Sequence, residues 1–337
     1  MLWDKIDSLV IRNFHDYWED PLINKYLGEE ASKHYEGVLI LRKSKKPIWI
    51  SHPFNYKQAK KQFSRRVIVK KYETLEELKE IIKKETGKLV GYNPRHQTVV
   101  SFKNLTKFLK GKKLIDAEEE LEKEREIKTP VEITKINKAA RETLKALNII
   151  QKWIHKGVTE KEVEEKIRTI FRQDGYETAF CIVAFEENSS HIHHATSDKK
   201  LNTGVVLIDV GAKYKGYSAD LTRTFWCGEK KGKKYVEFNI ENNKVLNCLN
   251  DIEKTLKEGV HAEKLWKCTK TIGELPHSLG HGIGIEVHDF PSGIGHKSKW
   301  ILKAGMVLAI EPAIYKKTFG IRQENTYLIT KKGYKIL

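Results

Sequence analysis

Short apolar runs alternate with amphipathic stretches through the first third of the chain. Residues 38–41, 47–50, 67–69, 89–91 and 113–115 read as strands, and 55–63, 74–85 and 103–110 as helices. In 74–85 the apolar residues Leu75, Leu78, Ile81 and Ile82 recur at helical spacing, and Gly87 stands where it can cap the end. This pattern predicts an α/β domain over 1–117. Residues 118–128 are almost all charged and read as a solvated linker helix. A second domain, 129–337, opens on a strong helix start: Thr129 as N-cap, Pro130 first in the helix, and Glu132 as capping-box partner. Ile133, Ile136, Ala140, Leu144, Leu147, Ile150 and Ile154 form that helix's apolar stripe, and Gly157 ends it. Thr159 and Glu162 make a second capping box, opening a helix with Val163, Ile167 and Ile170 inward.

The second domain repeats itself. Gly157-Val158 and Gly259-Val260 each precede a helix, 102 positions apart. The apolar run ending in Asp209 returns as the run ending in Glu311, again 102 positions on. Such a duplication predicts two equivalent halves about a pseudo-twofold axis, with their acidic residues brought together. In the first half, 205–208 reads as a buried strand running into Asp209. Residues 217–225 read as its hairpin partner, with Ser218, Asp220, Thr222 and Thr224 on one face. In the second, Glu311 sits in the apolar stretch 306–314 and Glu324 in 320–329, where Arg322 shares its face.

A buried carboxylate must be paired, protonated or bound to a cation. Taken singly, Asp209 or Glu311 is as readily satisfied by backbone amides as by a metal, and Arg322 beside Glu324 reads equally as a cross-strand ion pair. Taken together, four such carboxylates repel one another, and two divalent cations would supply the missing charge. An imidazole to complete the set is offered by Gly280-His281-Gly282-Ile283-Gly284, whose glycines permit close backbone approach. His288 follows seven positions on, with opposite strand parity, and a histidine cluster, His191-Ile192-His193-His194, lies in a polar loop. Oxygen-rich ligation with one imidazole suits Mn, Co, Zn or Fe.

Composition narrows the picture further. The net charge is +17, with 39% hydrophobic and 32% charged residues. The lysines read as spread along the chain, so nucleic acid is expected only as a weak secondary interaction. Cys181, Cys227, Cys248 and Cys268 form no CxxC and read as reduced thiols. Neither a signal peptide nor a membrane helix is legible, so the expected address is the cytoplasm, with no membrane partner.

Asp209 to Phe225, Gly280 to His288, Ile310-Glu311-Pro312 and Gly320-Ile321-Arg322-Gln323-Glu324 resemble, in order, the signatures of the pita-bread metallopeptidases. The resemblance runs from about Lys128 to the C-terminus. The preceding domain is similar to the smaller α/β N-terminal domain of the creatinase/prolidase branch, which favours the Xaa-Pro dipeptidases and Xaa-Pro aminopeptidases. The fold class implied is α/β (α+β), a pita-bread domain with an internal pseudo-twofold repeat. The resemblance implies two divalent metals, Mn or Co before Zn or Fe. Asp209 would chelate one, Asp220 and Glu324 would bridge both, and His281 and Glu311 would complete the second. It implies catalytic roles for His193, His288 and Glu311, and substrate contacts from His193, His277, His288 and Arg322. It implies proline-containing peptides as substrates and a homodimer. Glu311 would take a proton from the attacking water and later deliver one to the leaving nitrogen. A non-catalytic pita-bread binding module is the alternative, and the retained ligand positions argue against it. The chain departs from the family pattern at Phe185-Glu186-Glu187-Asn188, Ile192, Asp289 and Asn325, none of which removes a ligand.

Overall fold

Leu9, Val10 and Ile11 are all buried, which places β1 (Ser8–Asn13) at the centre of a sheet covered on both faces. The computed structural model describes residues 2–13 and 20–337. They divide into two compact units, Met1–Glu124 and Arg125–Leu337.

The first unit contains β1, α1 (Pro21–Leu27), α2 (Glu29–His34), β2 (Gly37–Arg42), β3 (Lys45–Ser51), α3 (Tyr56–Phe63), β4 (Ile68–Lys71), α4 (Leu75–Glu85), β5 (Leu89–Tyr92), α5 (Val99–Phe108) and β6 (Lys113–Asp116). The division falls within α6 (Glu118–Glu126). The strand order is β4-β3-β2-β1-β5-β6, antiparallel from β1 through β3 and parallel at both edges. Period-two alternation sorts β2 between two cores. Leu39 and Leu41 pack with Leu22, Leu27 and Phe63, while Val38 and Ile40 pack with Leu78, Ile82 and Leu105.

Three local readings change. β1 and the two helices after it are absent from the expectations above, although the apolar run 9–11 is as long as 67–69, 89–91 and 113–115. Helix α5 starts four residues before the expected 103, at the Thr98 N-cap, since Val99 and Val100 are exposed and carry no inward periodicity. Gly87 does not cap α4; Thr86 does, in extended conformation. A Cβ on Gly87 would come within 2.3 Å of the Asp7 Cβ, so the glycine serves close approach instead. In α6, Leu121 is buried in the first unit's core beside Ala117.

The second unit contains α7 (Pro130–Trp153), α8 (Glu160–Gln173), β7 (Glu177–Phe185), β8 (Gly204–Tyr214), β9 (Tyr217–Ser218), β10 (Leu221–Cys227), α9 (Lys233–Glu253), α10 (Ala262–Lys267), β11 (Gly280–Gly282), β12 (Val307–Ile310), β13 (Ala313–Tyr315), β14 (Gly320–Arg322), β15 (Asn325–Ile329) and β16 (Tyr334–Ile336). Both capping boxes form, at Thr129/Glu132 and Thr159/Glu162. One half is the sheet β10-β8-β7 and the other β15-β12-β11, with β16 added outside β15.

The duplication is visible bond by bond. Gly157 N donates to Leu201 O at 2.7 Å, and Gly259 N to Leu302 O at 2.8 Å. Leu201 N returns to Val158 O, and Leu302 N to Val260 O, both at 2.8 Å. The halves meet through equivalent residues. Thr222 Oγ1 donates to Glu324 Oε2 at 2.6 Å across 102 positions, and Arg223 Nη2 to Asn325 Oδ1 at 2.8 Å across the same separation. Among the described residues no helix is long and apolar enough to cross a membrane.

Candidate metal centre

Asp209 lies within continuous strand β8, opposite Ile182 of β7 and Thr222 of β10. The other three carboxylates sit where strands break. Asp220 falls between β9 and β10, Glu324 between β14 and β15, and Glu311 directly after β12. These breaks replace the unbroken strands expected over 217–225, 306–314 and 320–329. Pro312 has no N–H to continue a ladder, which accounts for the break at Glu311. Interruption frees each side chain from strict alternation, so residues of either parity can face one centre.

His281 sits in β11, and the glycines beside it are needed for contact. A Cβ on Gly280 would lie 2.1 Å from Ala309 O, and one on Gly282 would lie 2.2 Å from the Phe290 backbone. The chain then folds back on itself. Asp289 N donates to Gly282 O at 2.8 Å, and the Asp289 carboxylate accepts from Ile285 N at 3.0 Å and Phe290 N at 2.7 Å. Arg125 pairs with Asp289 at 2.9 Å. This closed loop answers the parity problem, bringing the His288 ring centroid within 4.3 Å of His281.

A cavity of about 440 Å³ is lined by Asp209, Asp220, His281, Glu311 and Glu324, and also by His193, His277, His288 and Arg322. All nine side chains singled out from the sequence therefore meet. Phe180, Ile182, Ile192 and Val287 add apolar lining. His281 Nδ1 lies 3.0 Å from Gly282 O, so that nitrogen carries the proton and Nε2 offers its lone pair inward. Nε2 stands 3.5 Å from Asp220 Oδ2 and 3.8 Å from Glu311 Oε1. Those gaps are wide for hydrogen bonds but suit atoms that share a cation at about 2.0–2.2 Å each. Ligand atoms of Asp220, His281 and Glu324 all lie within 4.8 Å of one another.

Electrostatics point the same way. Burial first, then repulsion from Glu324, Asp209 and Glu311, drives the Asp220 carboxyl far above its ordinary range. Burial and then Glu324 do the same to Glu311, and burial and then Asp209 raise Glu324. Burial, then His288, lowers His281 to about 4, leaving its imidazole neutral at pH 7 and able to offer a lone pair to a cation. Asp209 Oδ1 is buried without a hydrogen-bond partner, while Oδ2 accepts from Arg322 Nη2 at 2.6 Å. The acidic groups, the inward imidazole and the orphaned oxygen together fit divalent cations. The close ion-pair partner of Arg322 is thus Asp209 rather than Glu324, because β14 ends at Arg322 and alternation does not reach Glu324.

Three further residues have roles that the sequence reading did not assign. Thr222 binds Glu324 and was legible only through the 102-residue offset. Tyr315 OH lies 3.0 Å from His277 Nε2 and accepts from Arg322 Nη1 at 2.5 Å. His277 Nδ1 is 2.7 Å from Ser278 O, so it donates there and leaves Nε2 to accept from Tyr315. Glu160 is fully buried and anchors the loop that carries His193. It accepts from Phe185 N (2.8 Å), Asn188 Nδ2 (2.9 Å) and Ser197 N (2.9 Å), and pairs with His194 Nε2 at 2.8 Å. Burial would push its carboxyl up, but bonds from Ser197, His194 and Asn188 outweigh it and hold the group low. Glu160→Gln is expected to cost about 2–4 kcal/mol at pH 7 in urea denaturation. A lowered folded value means that this contribution is present above the unfolded value of about 4.3 and lost as pH falls through the folded one. The gap between variant and wild type should therefore close in acid.

Two halves of a duplicated fold, each delivering carboxylates to one cavity beside a neutral imidazole, define a metal-dependent hydrolase of the pita-bread class. Residues 134–331 match the model of Metallopeptidase family M24, and residues 25–127 match the Creatinase/Prolidase N-terminal domain. The chain is 32% identical over 326 residues to an Xaa-Pro dipeptidase of Pyrococcus furiosus, covering 94% of this chain and 90% of that protein. Its fold is similar to that of an X-Pro aminopeptidase from Thermotoga maritima, with TM-score 0.87, 27% identity, and coverage of 98% and 95% of the two chains. It is also similar to the prolidase from Pyrococcus furiosus, with TM-score 0.83, 30% identity, and coverage of 98% and 96%. The chain belongs to metallopeptidase family M24 and is a metal-dependent peptidase.

Proposed function

We propose that this chain hydrolyses the peptide bond on the amino side of proline, using two divalent cations held by Asp209, Asp220, His281, Glu311 and Glu324. The observation that carries the reading is the convergence of those five side chains, from both halves, on one cavity. The Xaa-Pro dipeptidase and aminopeptidase relatives support the substrate class. Asp209 would hold one ion, His281 and Glu311 the other, and Asp220 and Glu324 would serve both. The oxygen-rich set with one imidazole accommodates Mn, Co, Zn or Fe, and the family resemblance puts Mn or Co first. Bound cations would acidify water, whose pKa falls from about 15.7 toward about 7 at a metal.

The chain's own groups supply the rest. Glu311 takes a proton from the attacking water and returns one to the departing nitrogen, which must be protonated to leave. His288 donates to the developing oxyanion and His193 contacts the scissile region. The prolyl nitrogen has no hydrogen to recognise, so selection rests on shape. His277, held neutral by burial, which lowers it to about 4, lines the proline side and is fixed through Tyr315 to Arg322. The reading also takes 118–128 as the connection between domains 1–117 and 129–337. It further includes a homodimer and a cytoplasmic address. The four free cysteines agree with a reducing compartment.

The test is cleavage of Ala-Pro and Ala-Pro-Ala after chelation and re-addition of Mn, Co or Zn. Activity that vanishes with the metal and returns with it on either peptide supports the reading. Preference for Ala-Pro marks a dipeptidase, and preference for Ala-Pro-Ala an aminopeptidase. Equal cleavage of Ala-Ala would contradict prolyl selection.

A further inference from the structure

The positive charge is not evenly spread, contrary to the first reading of the sequence. From Gly37 to Tyr72 there are eleven lysines and arginines and no aspartate or glutamate, so 36 residues hold eleven of the seventeen net charges. The fold gathers this segment at one edge of the first unit's sheet, where β2, β3 and β4 are neighbours and α3 crosses between the last two. The start of β3 meets the end of α3, where Lys46 Nζ donates to Ser64 O at 2.8 Å. Arg42 and Lys70 share the single carboxylate of Glu85, and Lys71 pairs with Glu73. Lys45, Lys57, Lys60, Lys61 and Arg65 are exposed, and among the described residues none has a carboxylate within 4.0 Å.

Aromatic rings flank these cations. Phe54 is 92% exposed, its ring 4.7 Å from His52, which in turn lies 5.9 Å from Tyr72. Lys60 Nζ stands 5.7 Å from the Tyr56 ring centre. A large apolar ring left in water beside uncompensated cations has the chemistry of a base-stacking platform on a phosphate track. The apolar side of α3, Ala59 and Phe63, is buried in the unit's own core. The helix therefore has no free apolar face to lay into a membrane. With eight residues and that buried side, it is also a poor reader of a duplex groove.

We propose that this edge binds single-stranded nucleic acid, with phosphates on the lysines of α3 and the β2–β3 turn and a base stacked on Phe54. The site is independent of peptide hydrolysis. The test is fluorescence anisotropy of the full chain with a fluorescein-labelled mixed-sequence RNA of roughly 20 nucleotides, across a salt series. Saturable binding is expected, with log K falling against log salt at a slope of about −3 to −4 for five phosphate contacts. The triple variant Lys57→Glu, Lys60→Glu, Lys61→Glu should weaken binding more than about tenfold and flatten the slope by about 2. The glutamine triple, gentler on the helix end, should follow in the same direction. Lys103→Glu, Lys107→Glu, Lys110→Glu changes net charge equally on α5 and the turn after it and should stay within about threefold, since distant charges are screened. Phe54→Ala should weaken binding about tenfold at unchanged slope. Dipeptide cleavage should be the same in all variants, which shows them folded. The proposal is overturned if no saturable binding occurs at low salt, or if the two triple variants weaken binding equally. It is also overturned if Phe54→Ala binds like wild type, or if the protein takes phosphatidylserine vesicles but not RNA.

Discussion

Asp220→Ala is expected to remove both metal uptake and peptide cleavage, the latter by roughly four orders of magnitude or more. The Asp220 carboxylate lies 3.5 Å from His281 Nε2 and repels Glu324, Asp209 and Glu311. As the proposed bridge it touches both ions, so its loss cannot be confined to one. The same electrostatics separate this result from misfolding. In the metal-free protein Asp220 is a buried acid crowded by like charges, so removing it relieves repulsion that offsets the loss of its hydrogen bond with Glu324. The metal-free variant should melt no lower than the metal-free wild type. Asp220→Asn, which keeps the volume, should behave alike in activity. Normal turnover in either variant would end the bridging role. A collapse of the metal-free fold would show that the residue is structural.

His288→Ala should lower kcat by about 10²–10³ while leaving metal content and KM near wild type. His288 stands at the solvent edge of the cavity, within 4.3 Å of the His281 ring, and is not among the proposed ligands. An oxyanion donor acts on charge that develops only during reaction, so its loss appears in kcat rather than in binding. Partial desolvation, then His193, lowers its pKa, so at neutral pH it is a neutral donor. A parallel loss of bound metal in this variant would make His288 a ligand or a prop for His281. A pure rise in KM would make it a substrate contact without an oxyanion role.

Much of the site was legible because chemistry and repetition leave marks in one dimension. Two offsets of 102 announced the duplication, and the structure meets them again in the Thr222–Glu324 and Arg223–Asn325 bonds. The capping boxes at Thr129 and Thr159 were legible because they are local. Strand breaks were not, since alternation in 217–225 or 320–329 looks continuous until a partner strand stops pairing. Tyr315 and Glu160 were hidden for a related reason. Each acts on residues 7 to 38 positions away through a polar atom that no periodicity marks. The basic edge was hidden by averaging, because the acidic stretches at 73–85 and 116–124 dilute a segment that has no acid at all.

The central claim is that Asp209, Asp220, His281, Glu311 and Glu324 together hold a catalytic pair of divalent ions. Equilibrium dialysis of the stripped protein against Mn²⁺, with Ala-Pro cleavage followed in the same samples, tests it most directly. The account predicts saturation at two ions per chain, with cleavage absent from the stripped protein and rising as the ions bind. Full cleavage with no ion bound, or a folded protein that takes up none, would contradict it.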